Sequence, residues 1–254
     1  MISDLKRAAL SSLKGRWGLG VGTTFLHYVI PAVGMYFIGI LLTLLFGLSF
    51  DMIRESSVDY SITGELQTGT ISAFFVDSSL YIFLAILCII YIAAQSVMSY
   101  GYYNFTLCLA KNESTTIGNL FEGFKKNNLF RSMKLGILQT IFIILWSLLF
   151  IIPGIIKFFS YSMAYFILLE NPEYTASEAI KKSKEMMKGH KLDLFILWLS
   201  FIGWFILGSF IGLFTLSIPY LWISPYYNTT VSHFYLTLAN RENIAEETTF
   251  TKKG

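Results

Sequence analysis

Residues Gly18–Phe50, GLGVGTTFLHYVIPAVGMYFIGILLTLLFGLSF, run for 33 positions without an Asp, Glu, Lys or Arg. A helix rises about 1.5 Å per residue and a bilayer core is about 30 Å thick, so about 20 apolar residues are enough to cross it. Ser79–Ala110 repeats the pattern over 32 residues, and Leu135–Ile152, Ile155–Leu169, Leu194–Ser217 and Tyr220–Ala239 carry one charged residue among them, Lys157. None alternates polar and apolar positions, which excludes the strands of a membrane barrel. The reading is all-α: a polytopic membrane helix bundle of six spans, forming a single integral membrane domain over residues 1–254.

Composition agrees. Of 254 residues, 54% are hydrophobic, 17% aromatic and only 14% charged, against about 25% charged in an average soluble domain. Too little charge remains to cover a soluble fold, a disordered chain or a nucleic-acid platform, so no nucleic-acid partner is expected. Two cysteines and three histidines leave no disulfide scaffold and no histidine-rich metal site, and no cofactor is expected. Cys88 and Cys108 fall about 30 Å apart on one predicted helix and cannot pair. The first span is too long for the apolar core of a cleaved signal peptide and no small-x-small site follows it. It reads as a retained anchor, with Pro31 and Gly34 expected to kink it.

Orientation follows the cationic residues, which resist translocation. Seventeen of the 19 Lys and Arg fall on one side of the six-span arrangement: before the first span, between the second and third, between the fourth and fifth, and after the last. The long loop on the other side, 51–78, holds Arg54 against Asp51, Glu55, Asp59, Glu65 and Asp77. Both termini are therefore expected in the cytoplasm of a multi-pass cell-membrane protein, with 51–78 outside.

Each pair of spans is preceded by a short amphipathic segment, over 2–16, 116–134 and 175–191. In the first, Ile2, Leu5, Ala9, Leu13 and Trp17 recur at helical spacing. In the second, Ile117, Leu120, Phe121 and Phe124 lead into Lys125 and Lys126. In the third, Thr175 and Glu178 have capping-box spacing, and Glu178–Lys182 and Lys181–Glu185 stand at i,i+4. The second and third copies align at an offset of 60, pairing Glu113 with Glu173, Thr115 with Thr175, Leu120 with Ile180 and Arg131 with Lys191. Their hairpins are expected to turn at Pro153-Gly154 and near Pro219. The pattern reads as three parallel repeats of a cytoplasmic amphipathic helix plus a helical hairpin. It is not the inverted repeat of many transporters.

Glu178-Ala-Ile-Lys-Lys-Ser-Lys-Glu-Met-Met-Lys-Gly-His-Lys-Leu-Asp-Leu-Phe-Ile-Leu, Leu199-Ser-Phe-Ile-Gly-Trp204, Leu221-Trp-Ile-Ser-Pro-Tyr226 and Phe234-Tyr235 resemble a family of bacterial integral membrane proteins, domain of unknown function 975. Ile152-Pro-Gly-Ile-Ile-Lys157, Tyr161-Ser162 and Leu13-Lys-Gly-Arg-Trp17 fit the same pattern, so the resemblance extends over nearly the whole chain. It implies an architecture and no activity. Trp198 stands where that family is often acidic, so no intramembrane carboxylate is implied here. More distantly, the plan is similar to the membrane domain of some bacterial glycerophosphodiester phosphodiesterases, without their catalytic domain.

Ionisable residues inside a membrane are costly and mark function by default. Here they are His27, Lys157 and His233. Two histidines without a carboxylate or cysteine make a poor zinc site, and none of the patterns for intramembrane proteolysis or phosphate-binding loops is present. No catalytic residue is assigned, and the protein is read as a non-enzyme. Lys157, Asn228, His233, His27, Gln95 and Asn104 are the candidates for a polar cavity or ligand site, the alternative being hydrogen bonds between helices. Lys157 is expected in an outward-open depression, because Leu135–Ile152 and Ile155–Leu169 make a hairpin too short for the bilayer, the alternative being that its side chain simply snorkels outward. Lys181, Lys182, Lys184 and Lys188 are candidates for binding anionic lipid headgroups at the cytoplasmic face, the alternative being that their helix simply packs on the bundle. Two functions fit: a scaffold, assembly or immunity-like factor binding lipid or protein partners, or a transport or lipid-translocation component with a polar interior. In cells expressing variants that lack Cys88 and Cys108, Ser61→Cys should react with an impermeant thiol reagent and Ser183→Cys should not. Labelling of position 183 from outside would overturn the topology.

Overall fold

In the computed structural model, residues 1–58, 68–215 and 217–251 are described, with the side chains of 45–58, 68–80, 243 and 245–251 excluded. Ten α-helices and one 3-10 helix occur among them, and no strand. They are α1 (Ile2–Leu13), α2 (Trp17–Val58), α3 (Thr68–Ala110), the 3-10 helix (Ile117–Phe124), α4 (Lys126–Leu149), α5 (Ile151–Tyr161), α6 (Ala164–Glu170), α7 (Ala176–Met186), α8 (Lys191–Leu199), α9 (Ile202–Gly212) and α10 (Tyr220–Thr251). The loop expected over 51–78 is largely helical, because α2 and α3 continue to Val58 and from Thr68; residues 59–67 lie outside the described residues.

The surface is apolar over wide stretches, and the interior mixes apolar side chains such as Phe105, Phe166 and Phe201 with many hydroxyls. Leu148, Phe150, Ile151, Ile152, Leu213 and Phe214 are among the most exposed large side chains, while Thr23, Thr24, Thr106, Ser132, Thr229, Thr230 and Ser232 are buried. Apolar side chains gain nothing by clustering in hydrocarbon, whereas hydroxyls gain by meeting one another. Among the described residues, four helices are long and apolar enough to cross a membrane: Trp17–Leu44, Tyr81–Ala110, Lys126–Leu149 and Ile151–Glu170. A fifth is available if α8 and α9, bent by 41° at Ser200-Phe201, count as one span. The last helix, α10, is not among them. Asn228, Thr229, Thr230, Ser232 and His233 lower its hydropathy, and it packs against α1, α2 and α3.

The expected turn at Pro153-Gly154 is displaced. The chain turns at Phe150, whose backbone is extended, and Pro153 and Gly154 lie in the first turn of α5. Proline suits that turn because the first backbone N–H groups of a helix have no intrahelical acceptor. With 24 residues in α4 and 20 in Ile151–Glu170, the two arms reach about 36 and 30 Å. The hairpin is therefore not shorter than a bilayer core, and the ground for a depression around Lys157 disappears.

Close crossings use small residues, which let backbones approach. A Cβ on Gly101 would lie 1.7 Å from the Leu120 carbonyl oxygen, and one on Gly123 would lie 2.3 Å from that of Val97, so the 3-10 helix nests on α3. Gly136 meets Ser96 where α4 crosses α3, and Gly154 meets Ser147 inside the α4–α5 hairpin. The amphipathic segments thus belong to the bundle. Ser183 of α7 bridges the α5–α6 break, donating to the Ser160 carbonyl at 2.9 Å and accepting from the Met163 N–H at 3.2 Å. Since Ser183 is fully buried, the exposed Lys188 is the better position for a labelling cysteine. Gly101→Ala should lower the thermal midpoint of the purified protein by several degrees, as overpacking typically costs about 1–3 kcal/mol. Gly22→Ala, where an added Cβ meets nothing within 4 Å, should not; equal midpoints for both would refute the nested contact.

Candidate functional site

The residues expected to share a cavity are divided among separate places. Gln95 donates from its amide to His27 Nε2 at 3.1 Å, which leaves the proton on Nδ1, a buried atom with no hydrogen bond of ordinary geometry. The His27 ring stacks on Tyr102 at 4.6 Å. His233 Nε2 instead lies 3.0 Å from Ser12 Oγ, so the two histidines have different partners on different helices. Asn228 bonds the Ser224 carbonyl of its own helix. Interhelical pairs account for much of the remaining polarity: Thr24 with Tyr102, Ser232 with Thr106, Gln139 with the Tyr161 carbonyl. A cavity of 210 Å³ lies between Gln95, Ser96, Gln139 and Tyr165.

Lys157 is half-buried on α5 with its Nζ 4.2 Å from the Trp146 ring centre. Its charged neighbours are Lys184 and Lys191. The outward-facing placement expected for it is therefore corrected: it joins lysines counted on the opposite, basic side. Among the four candidate headgroup lysines of the third amphipathic segment, Lys181, Lys184 and Lys188 are exposed. Lys182 is turned to α10, where its Nζ pairs with Glu242 at 3.0 Å, and Glu178 closes the expected capping box with Thr175. That cap holds the Glu178 carboxyl below its ordinary range, through the Thr175 backbone N–H first and its hydroxyl second.

A larger cleft of about 620 Å³ opens between the end of α3, α6, α7 and α10, among Asn104, Cys108, Lys111, Glu113, Glu170, Lys182, Tyr235 and Glu242. Of the expected candidates only Asn104 and Lys182 line it. Lys111 Nζ lies 2.6 Å from Glu170 Oε1, and the Tyr235 hydroxyl donates to Oε2 of the same carboxylate. The Asn119 amide points to Cys108 Sγ at 3.6 Å, and that thiol to Asn104 at 3.7 Å. Helix ends facing the cleft are fastened from outside. Arg131 donates to the carbonyls of Leu168, Asn171 and Tyr174, and Arg16 to the Glu113 carbonyl and the Asn112 side chain. Three carboxylates face two ammonium groups, and no cluster of three or more metal-ligating groups occurs among the described residues. The cleft is thus equipped to exchange its ion pairs with a polar or cationic guest.

Sequence reasoning passed over this cleft because Lys111 and Lys182 read as topology charges. A signal was present. Glu113, Glu170 and Glu242 each stand within three residues of the end of the second, fourth and sixth apolar stretches, so every returning helix delivers a carboxylate to the same end.

The family model described as "Protein of unknown function (DUF975)" matches residues 150–242. This bears out the resemblance to domain of unknown function 975 over α5–α10, a narrower range than nearly the whole chain. No curated protein and no solved structure matches.

Burial opposes the charge on Lys111, but Glu170 and then Glu113 outweigh it and raise its pKa above the ordinary 10.5. A raised lysine contributes stability that is fully present below its ordinary pKa and lost as pH rises through the elevated one. The Lys111→Met variant should therefore melt below the wild type near neutrality, and the difference should narrow above about pH 10.5. A difference that stays constant through that window would show that charge pairing is not its origin.

Proposed function

We propose that the chain is an integral protein of the cell membrane with both termini cytoplasmic, acting as a non-enzymatic scaffold, assembly or immunity-like factor. The observation that carries this reading is the division of polarity. Inside the bundle, hydroxyls, amides and imidazoles are paired mainly with one another or with backbone carbonyls. Charged chemistry is gathered in the cleft and on α7. A device for carrying solutes needs interior groups left available to a passenger; a docking protein needs a fixed bundle and a chemically distinctive surface. The cleft supplies the latter, suited to a polar or cationic segment of a protein partner.

Six spans are supported by packing. Among the described residues four helices meet the apolar criterion, or five with α8 and α9 counted as one span, yet α10 is covered by α1, α2 and α3, so its polar face need not meet lipid. The three-repeat reading is supported by two shared devices. Capping boxes open the 3-10 helix at Thr116 and α7 at Thr175, 59 residues apart rather than the expected 60. An arginine near the start of a hairpin holds the end of its returning helix, Arg16 in the first unit and Arg131 in the second.

A transport or lipid-translocation role has one observation in its favour: His27 Nδ1, Gln139 Oε1, Thr23 Oγ1 and Thr229 Oγ1 are buried without a hydrogen bond of ordinary geometry. Reconstitution separates the two readings. Proteoliposomes containing the protein and a fluorescent phospholipid should lose no more fluorescence to an impermeant reductant than empty vesicles, and should stay tight to small polar solutes. Accelerated bleaching or solute leak would overturn the scaffold reading in favour of translocation. Failure of the protein to stay with alkaline-washed membranes would overturn the membrane assignment itself.

A further inference from the structure

Three lysines converge on the outer side of the α5–α7–α8 junction. Ser183 is fixed to the Ser160 carbonyl, which sets Lys184, its neighbour on α7, beside the turn of α5 that carries Lys157. Phe195 of α8 packs edge-on against Phe159 at 5.8 Å, which draws in Lys191 at the start of that helix. The charges of Lys184 and Lys191 act repulsively on Lys157. None of the three makes an ion pair with a described residue, and Glu185, the nearest carboxylate along α7, pairs with none of them. Asp193 is held by His190 at 2.9 Å.

The Lys157 ammonium thus stands near two like charges with no counter-charge among the described residues, an arrangement that their repulsion disfavours. An anion between them relieves it. The surroundings select which anion. Ile155, Ile156 and Phe158 on α5, and Leu192, Phe195 and Ile196 on α8, are all exposed beside the cluster, and Trp146 lies under the Lys157 ammonium. A free phosphate would gain nothing from such walls. A phospholipid would lay its acyl chains along them, with tryptophan at headgroup level where that side chain concentrates in membranes.

We propose that Lys157, Lys184 and Lys191 form a binding site for the headgroup of an anionic phospholipid whose chains lie along α5 and α8. The site rests on the proposed membrane location and is independent of the cleft. It differs from the expected surface of Lys181, Lys182, Lys184 and Lys188 in sharing only Lys184 and in drawing its other two lysines from different helices. Its charge is therefore gathered by the tertiary fold from α5, α7 and α8 rather than along one helix face.

The test uses the full chain in nanodiscs of phosphatidylcholine containing a minor fraction of phosphatidylglycerol, with the lipids retained on the released protein counted by native mass spectrometry. Wild-type protein should retain phosphatidylglycerol severalfold above its share of the disc. The triple variant Lys157→Gln, Lys184→Gln, Lys191→Gln should fall to that share, and Lys157→Gln alone should fall part of the way. The variant Lys181→Gln, Lys188→Gln, which removes two exposed charges outside the cluster, should keep the enrichment. If the single and triple variants retain wild-type enrichment, the site does not exist. If the Lys181 and Lys188 variant loses as much as the triple, binding is diffuse and the proposal fails. Inorganic phosphate added to the discs should leave retention unchanged; displacement would identify a free-anion site instead. Failure of the wild type to enter nanodiscs would count against the membrane reading, an outcome distinct from entry without lipid preference.

Discussion

A backbone group left unpaired in an apolar surrounding costs several kcal/mol, and this chain breaks its helices repeatedly where such surroundings are expected. Much of the packing answers that constraint. Arg131 donates to three carbonyls in and just after the last turn of α6, Arg16 takes the carbonyl and side chain after α3, Lys6 donates to the Ser200 carbonyl at the bend between α8 and α9, and Ser183 closes the α5–α6 break. Each donor or bridge comes from an amphipathic segment or the first turns after it. The segments are therefore integral to the bundle rather than appended to it, because without them the interrupted helices would carry uncompensated ends.

This gives several cationic residues two roles at once. Lys6, Arg16 and Arg131 contribute to the charge asymmetry that points to orientation, and the same side chains neutralise helix C-termini, where the macrodipole favours positive charge. Lys6 adds a contact over the Phe201 ring at 4.2 Å. Lys184 stands in the last turn of α7, but neither it nor Lys157 nor Lys191 meets a carboxylate among the described residues. Cations that hold another element's carbonyls are thus set apart from cations with no described anionic or carbonyl partner, Lys157 resting only on the Trp146 ring, and the second group is where an external anion has work to do.

The apolar stretches made the all-α class and the approximate helix positions legible, since 18 or more uncharged residues admit few other readings. Thr175 and Glu178 were legible as a cap because both partners lie within one turn. Features depending on distant residues were not. Nothing local pairs Lys182 with Glu242, 60 positions away, in preference to Glu178 at i,i+4, and a cap that already holds Glu178 decides the matter. Pro153-Gly154 looked like a turn from composition alone, but proline fits a first helical turn equally well, and Phe150 takes the extended conformation instead. Lys157 was misplaced for a related reason. Its depth was inferred from hairpin length, and the hairpin length was inferred from where the uncharged run stopped, whereas α4 begins at Lys126 and carries its first charged turns into the bundle.

The cleft and the lysine cluster make different demands on their occupants. In the cleft every ammonium already has a carboxylate, Lys111 with Glu170 and Lys182 with Glu242, so a guest gains only the difference between its contacts and the pairs it displaces. Such exchange favours selectivity over strength, because a guest with the wrong arrangement of charge leaves a carboxylate unmatched. At Lys157, Lys184 and Lys191 no ion pair with a described residue has to be broken, and an anion relieves the repulsion that Lys184 and Lys191 exert on Lys157. Weak, selective docking of a polar segment in the cleft and firmer holding of a lipid along α5 and α8 are compatible in one bundle because α7 serves both. Lys182 faces α10 and Lys184 faces outward, so a helix of 11 residues divides the two chemistries between its sides.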